Sequence, residues 1–134
     1  DKAMVKNALT SGDQIRVVAD QTGQPTSARD LSRRIIESIE REIRPGMYHS
    51  TNTGETSWYE FGRRIFQLIG ENPERVQPIT SEDFASLVKR PKYSVLGQDC
   101  WENTGMPPMR NWEIAFREQI SEIRDAVFRE GENI

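Results

Sequence analysis

The sequence predicts a helix-rich α/β domain with about five helices and a few short strands. Apolar residues recur at helical spacing in several segments, and two of these begin at a serine followed three residues later by an acidic residue. Short runs of β-branched residues lie between the helices and are typical of strands. Strands this few and short do not make a stable sheet alone. We therefore expect them to extend a sheet that this chain does not complete.

The N-terminal segments indicate a helix, a strand and a loop. Residues 4–9 carry apolar side chains at helical spacing, and Gly12 can end that helix. No capping residue precedes it, so residues 1–12 are expected to be the end of a truncated helix. Ile15–Val18 is a predicted strand, and residues 19–26, with glycine, proline and small polar side chains, are a predicted loop.

A second helix is predicted to begin after Ser27, with Asp30 as the acidic member of a capping box. Pro45 and Gly46 end it, and residues 47–49 are a candidate short strand. The helix carries one apolar stripe, which we expect to face the core. Its members are Leu31, Ile35, Ile39 and Ile43.

Two further helices are predicted in the middle of the chain. The first is capped by Ser57 and ends at Gly70, and its apolar face carries Trp58, Phe61, Ile65 and Leu68. Residues 76–79 are a candidate strand. A shorter helix is predicted to open at Thr80, and its apolar residues are Phe84, Leu87 and Val88.

The C-terminal part is predicted to end in a long amphipathic helix. Residues 90–94 are extended, because the residue before a proline avoids the α region, and residues 98–104 favour a helical turn. From Asn111 onward the apolar residues follow spacings of three and four. They are Trp112, Phe116, Ile120, Ile123 and Val127.

Composition gives no sign of a nucleic-acid or membrane partner. The formal net charge is −3 and the pI is about 5.3, whereas nucleic-acid binding usually needs a basic face. No apolar run approaches the roughly 20 residues that span a bilayer. Cys100 is the single cysteine, which fits a reducing, cytoplasmic location. With one cysteine and one histidine, His49, a structural zinc site is excluded and no metal ligand is expected.

The usual signatures of catalysis are also missing. The nine glycines form neither the G-x-G-x-x-G of a dinucleotide site nor a phosphate-binding loop. A short-chain reductase needs a tyrosine with a lysine four residues later, because the lysine lowers the tyrosine pKa. We therefore expect no catalytic and no cofactor-binding residue in this chain. At the lysine position stand Asn52 after Tyr48, Arg63 after Tyr59, and Gly97 after Tyr93.

Four segments in register resemble the motifs of one family, the dTDP-4-dehydrorhamnose reductases. Residues 17–31 resemble V-V-x-D-Q-x-G-x-P-T-x-x-x-D-L. Residues 46–49 and 57–61 resemble G-x-Y-H followed by S-W-Y-E-F-A. Residues 90–96 resemble R-P-x-Y-S-x-L, and the closing P-M-R-N-W of residues 108–112 is in keeping. Together the matches extend over most of the chain.

The resemblance implies an extended short-chain dehydrogenase/reductase with an N-terminal Rossmann domain for NADPH or NADH. A smaller C-terminal domain of that family binds the nucleotide sugar, and residues 1–134 resemble this domain with the Rossmann domain absent. The implied reaction reduces dTDP-4-dehydro-L-rhamnose to dTDP-L-rhamnose. This chain alone is then expected to be inactive. Its implied partners are the dTDP-sugar and its own Rossmann domain, and a homodimer is left open.

Two other hypotheses about the function remain open besides the reductase. The chain can be a non-catalytic nucleotide-sugar or regulatory binding module of the same superfamily, or the reductase part of a bifunctional rhamnose-pathway protein. A tyrosine followed four residues later by a lysine, in sequence upstream of this chain, would favour the enzyme over the module. The length of the gene would show a fusion.

The candidate substrate-binding residues are Gln21, Gln24, Thr26, Arg90 and Tyr93. The planar guanidinium of Arg90 suits a phosphate, although an arginine here can also bond to helix carbonyls. The loop residues offer amides and a hydroxyl, or they form a turn that only positions the next helix. Tyr93 can stack on a base or fill the core. The expected structural residues are Trp58 and Trp112 in the core, and a buried, hydrogen-bonded His49.

Overall fold

The computed structural model describes residues 2–84 and 86–132, and within them it contains four α-helices, two 3-10 turns and four short strands. This confirms the α/β, helix-rich class. The helices are α1 (Lys2–Thr10), α2 (Ala28–Glu40), α3 (Trp58–Leu68) and α4 (Trp112–Glu132). The strands are β1 (Ile15–Val18), β2 (Thr22–Gly23), β3 (Thr56–Ser57) and β4 (Val76–Ile79), and the 3-10 turns are Pro73–Arg75 and Asp99–Trp101.

The strands form two separate pairs. β1 and β4 are parallel, in a register that sets Ile15 beside Val76 and Val18 beside Ile79. β2 and β3 are antiparallel and bring Thr22 beside Ser57. Parallel sheets normally have more strands and both faces covered. A two-stranded parallel pair is therefore consistent with the expectation that these strands extend a larger sheet.

The core lies where α1, α3 and α4 pack around β4. Phe66, Ile65, Val5 and Val76 have no exposed surface. The predicted stripe of α4 packs against this cluster, and Phe61 makes edge-to-face contacts with Trp112 and Phe116, with ring centroids 5.4 and 5.5 Å apart. The prediction of a long C-terminal amphipathic helix with Trp112 in its packing face is confirmed.

Both predicted serine caps are confirmed. The Ser27 hydroxyl accepts a hydrogen bond from the Asp30 amide at 3.2 Å, and the Ser57 hydroxyl accepts one from the Glu60 amide at 3.0 Å. Each bond satisfies one of the free amides at a helix N-terminus. Gly70 follows α3 with φ +80°, a left-handed conformation that favours glycine.

The prediction that the apolar stripe of α2 faces the core is wrong. Ile35 is 52% exposed and Ile39 is 71% exposed, whereas Asp30 and Arg34 are the buried residues of this helix. Asp30 is held by the Arg110 guanidinium, and Arg34 donates to the Pro107 carbonyl. These polar contacts orient α2 against the segment before α4, so its isoleucines point outward.

Asp30 sits in a buried polar network with Asn52, which has no exposed surface. Arg110 donates to both carboxylate oxygens of Asp30 at 2.8 and 2.9 Å, and the Asn52 side-chain amide donates to it at 2.8 Å. Asn52 also accepts from the Ser27 amide at 2.7 Å. The network therefore joins three parts of the chain: the loop that follows β2, the helix α2, and the segment where α4 begins.

Acid is expected to weaken this network. Hydrogen bonds from Arg110, as the largest cause, lower the pKa of the Asp30 carboxyl. Such a group stabilises the fold fully above its unfolded-state pKa, and the contribution is lost as pH falls through the folded-state pKa. The free energy of unfolding should therefore decrease as the pH is lowered below about 4, which is near the ordinary pKa of an aspartate. Urea unfolding should show a weaker acid dependence in Asp30→Asn, and an unchanged dependence would contradict this role.

Two predicted elements do not form. Residues 47–49 are not a strand, because the His49 carbonyl accepts from the Trp101 indole at 2.7 Å instead of joining a ladder. The short helix predicted from Thr80 is absent from residues 80–84 and 86–88, and Ala85 lies outside the described residues. The Ser81 amide donates to the Asp20 carboxylate at 2.9 Å, which ties this turn to the end of β1.

Candidate functional site

Loop 21–26 is held between two other segments. Thr22 pairs with Ser57 on one side and with Tyr93 on the other. The Thr22 amide donates to the Lys92 carbonyl at 2.8 Å, and the Ser94 amide donates to the Thr22 carbonyl at 3.0 Å. This arrangement brings the motif segments 17–31, 57–61 and 90–96 together, although they are distant in sequence.

The first pocket, here called the loop pocket, has a volume of about 290 Å³. Uncharged polar groups of loop 21–25, Thr51 and residues 56–58 form much of its wall, together with Pro91 and Ser94. Among the described residues that line it, Arg90 alone carries a charge. The pocket can therefore offer several neutral hydrogen-bonding groups and one cation at the same time.

A second pocket, here called the strand-end pocket, adjoins the first and has a volume of about 830 Å³. It lies beside the C-terminal ends of β1 and β4, which is where open α/β sheets usually bind ligands. Gln21, Trp58 and Arg90 line both pockets. The charged residues in its wall are Arg16, Glu82, Lys89, Arg90 and Lys92, so positive charge prevails and favours an anionic ligand.

Three of the five predicted substrate-binding residues line the loop pocket: Gln21, Gln24 and Arg90. Gln24 is also tied to the motif segment 90–96, because its side-chain oxygen accepts from the Leu96 amide at 2.8 Å. Arg90 is exposed and follows the turn after β4. Its position between the two pockets lets one guanidinium reach a ligand that fills both.

The other two predicted residues do not line either pocket. The Thr26 hydroxyl donates to the Gln24 carbonyl at 3.1 Å and accepts from the Asn52 amide at 3.4 Å, as a loop-shaping residue does. The Tyr93 hydroxyl donates to Glu55 at 2.7 Å, and this contact raises the pKa of Tyr93. Their direct contact with a ligand stays a prediction.

The prediction that Trp58 lies in the core is wrong. It is 47% exposed and lines both pockets, and its ring meets the Phe61 ring at an angle of 62° with the centroids 6.3 Å apart. As the first residue of α3, directly after the Ser57 cap, it lies at a helix end that borders the loop. Its place directly after the cap is the feature of the sequence that could have indicated Trp58 as a site residue.

His49 is partly buried, and its Nδ1 lies 3.1 Å from the Gly97 carbonyl, as expected of a structural histidine.

Asp20 and Ser81 were not identified from the sequence as parts of the site. Asp20 accepts hydrogen bonds from both the amide and the hydroxyl of Ser81, at 2.9 and 2.6 Å. The side-chain nitrogen of Gln21 donates to the same hydroxyl at 3.1 Å. The hydrogen bond from the Ser81 hydroxyl is the main cause that lowers the pKa of Asp20.

Neither a metal site nor a membrane span is found within residues 2–84 and 86–132. No three His, Cys, Asp or Glu side chains there are grouped so that they could hold a metal ion. None of the helices in the same part of the chain is both long and apolar enough to cross a membrane.

The chain is similar to several reductases of dTDP-sugars. A dTDP-4-keto-6-deoxy-D-glucose reductase from Streptomyces niveus is 41% identical over 103 residues, which are 77% of this chain and 35% of that protein. A solved dTDP-4-dehydrorhamnose reductase from Clostridium acetobutylicum has a TM-score of 0.83 and 38% identity, covering 92% of this chain and 43% of that one. The corresponding reductase from Bacillus anthracis, solved with NADP, has a TM-score of 0.77 and 33% identity, covering 96% and 42%.

These likenesses agree with the four motifs in the sequence. The chain spans about two fifths of the length of the relatives that it matches. The model of one protein family, described as the RmlD substrate binding domain, matches residues 1–125. The chain therefore belongs to the RmlD substrate-binding domain family.

Proposed function

We propose that residues 1–134 are the nucleotide-sugar-binding domain of a dTDP-4-dehydrorhamnose reductase that uses NADPH. The observation that carries this proposal is the pair of adjoining pockets that share Gln21, Trp58 and Arg90. One pocket is largely neutral and the other is basic, which suits a ligand with an uncharged ring at one end and phosphates beside it. The dTDP-sugar reductases among the relatives support the choice of ligand.

The role of this chain in the reaction is to bind and orient the substrate. Arg90 supplies a planar, permanently charged group for the diphosphate. Gln21 supplies a side-chain amide, and Gln24 shapes the wall of the loop pocket through its bonds to the Leu96 backbone. Trp58 offers a half-exposed ring on which a base or sugar can pack. Holding the sugar in one orientation raises the rate, because the reacting carbon is presented in a single geometry.

The redox chemistry belongs to the other domain of the proposed enzyme. The sequence has no glycine-rich dinucleotide motif and no tyrosine–lysine pair, so its residues do not fit a nicotinamide site. NADPH is proposed as the cofactor because the Bacillus anthracis relative was solved with NADP. The 134-residue chain alone is accordingly expected not to oxidise NADPH. We place the enzyme in the cytoplasm, in keeping with its single cysteine.

A second candidate substrate is a different dTDP-4-keto-6-deoxy sugar. The Streptomyces niveus relative is a dTDP-4-keto-6-deoxy-D-glucose reductase and is 41% identical over the matched residues. Both substrates carry the same nucleotide and differ in the stereochemistry of the sugar. The loop pocket and Arg90 would serve either one, so the choice between them depends on the part of the site that holds the sugar.

The proposed function is tested with the complete reductase, in which this chain follows its cofactor domain. Oxidation of NADPH should be faster with dTDP-4-dehydro-L-rhamnose than with dTDP-4-keto-6-deoxy-D-glucose. The reverse order would support the second candidate. If the protein bound dTDP but turned over neither dTDP-sugar, the proposal of an enzyme would be rejected in favour of a non-catalytic binding module.

A further inference from the structure

Gln21 occupies the junction of the two pockets, and its side chain has a defined partner. Its nitrogen Nε2 lies 3.1 Å from the Ser81 hydroxyl oxygen. Ser81 belongs to the turn after β4, whereas Gln21 belongs to the loop after β1. The contact therefore joins the C-terminal ends of the two parallel strands just where the pockets meet.

The direction of each hydrogen bond follows from Asp20. An ionised carboxylate can only accept, and it lies 2.6 Å from the Ser81 hydroxyl and 2.9 Å from the Ser81 amide. The hydroxyl hydrogen of Ser81 is thus committed to Asp20. The Ser81 oxygen can then only accept from Gln21, so the NH₂ group of the Gln21 amide must face Ser81 and not the reverse.

An aspartate carboxyl is already ionised at neutral pH, and the hydrogen bonds from Ser81 lower the pKa of Asp20 further. Carboxamide groups are otherwise free to turn by half a revolution, which exchanges a donor for an acceptor. A turned Gln21 would set its carbonyl oxygen against an oxygen that has no hydrogen left to give. The Asp20–Ser81 pair therefore removes the alternative orientation.

We infer that Asp20 and Ser81 are positioning residues that present the carbonyl oxygen of Gln21 to the ligand as a hydrogen-bond acceptor. This inference rests on the proposed function and adds a specificity determinant to it. The acceptor selects a hydrogen-bond donor on the nucleotide sugar, either a sugar hydroxyl or the imide N–H of the base. An analogue without that donor would leave the carbonyl oxygen unpaired and bind more weakly.

The test uses steady-state kinetics of the complete reductase with the variants Ser81→Ala, Ser81→Thr and Gln21→Ala. Ser81→Ala releases the Gln21 amide, and KM for the dTDP-sugar should rise about 2- to 10-fold, the worth of one neutral hydrogen bond. Ser81→Thr keeps a hydroxyl and should return KM toward the wild-type value. Ser32→Ala removes an exposed hydroxyl of α2 that lines neither pocket and bonds only to its own helix, and it serves as the matched control.

A double-mutant cycle separates positioning from general stability. In the Gln21→Ala background, Ser81→Ala should have little further effect on KM, because the amide that it positions is gone. Inhibition by dTDP identifies the donor: if its inhibition constant rises together with KM, the donor is on the nucleotide, and if only KM rises, it is on the sugar. Either pattern supports the inference.

Two results would overturn the inference. Ser81→Ala could leave KM unchanged, or its effect could be equally large with and without Gln21. Both are distinguishable from failure of the proposed function, which would appear as a wild-type reductase that turns over neither dTDP-sugar. In that case the wild type and the variants are compared by titration with the dTDP-sugar itself, and equal affinities would reject the positioning role as well.

Discussion

Replacing Arg90 by alanine is expected to raise KM of the complete reductase for its dTDP-sugar roughly 10- to 100-fold. Arg90 lines both pockets, and among the described residues it is the one charged residue in the wall of the loop pocket. Hydrogen bonds to charged groups contribute about 1.5–3 kcal/mol, which corresponds to this range. Arg90→Lys should recover part of the loss, because an ammonium keeps the charge but not the two-pronged geometry.

Arg33→Ala is the matched control for Arg90→Ala. Arg33 is an exposed arginine of α2 and lines neither pocket, so its removal changes the net charge by the same amount without touching the site. Steady-state kinetics at one ionic strength makes the comparison. Equal changes in KM for the two variants would mean that Arg90 acts only through the overall charge.

Replacing Asp30 by alanine is expected to lower the free energy of unfolding by roughly 2–4 kcal/mol. Removing one partner of a buried ion pair leaves the other without compensation and costs about 3–5 kcal/mol when both are fully buried. The Arg110 side chain is 31% exposed and keeps its contact with Glu118, which reduces the expected loss. Urea unfolding followed by tryptophan fluorescence measures the change.

The control for Asp30→Ala is Glu122→Ala. Glu122 also pairs with an arginine, Arg29, but both side chains are about half exposed, at 58% and 44%. Exposed pairs contribute about 0–1 kcal/mol. If the two variants lost the same free energy of unfolding, the network of Asp30, Asn52 and Arg110 would not be a buried anchor of the fold.

The sequence predicted those elements whose signals are local. The serine caps of α2 and α3 were visible because a cap and its acidic partner are three residues apart. The stripe of α4 was visible because most of its apolar residues face the core. In each case the information lies within one or two turns of helix.

The packing face of α2 could not be predicted from the same kind of pattern. Its isoleucines form a regular stripe, yet the partner that decides its orientation is Arg110, 80 residues after Asp30. The short helix predicted from Thr80 failed for a similar reason, because Ser81 is bound to Asp20, 61 residues earlier. Bonds over such separations leave no periodic signal in the sequence.

The candidate site was predicted in part. The motifs named Gln21, Gln24 and Arg90, which line the loop pocket. They did not reveal Trp58, because an aromatic residue on a helical stripe is normally interpreted as core. The pairing of Thr22 with both Ser57 and Tyr93 explains why the motifs belong together, and only the three-dimensional structure shows that pairing.

The most direct test of the central claim is an NMR titration of the 134-residue chain with dTDP, with UDP as the control ligand. If the two pockets hold the nucleotide part of a dTDP-sugar, the amide signals of residues 21–25, 56–58 and 90–94 and the indole signal of Trp58 will shift, more strongly with dTDP. Signals that shift only elsewhere, such as on the exposed face of α2, or a spectrum that saturating dTDP leaves unchanged, would contradict a nucleotide site in these pockets.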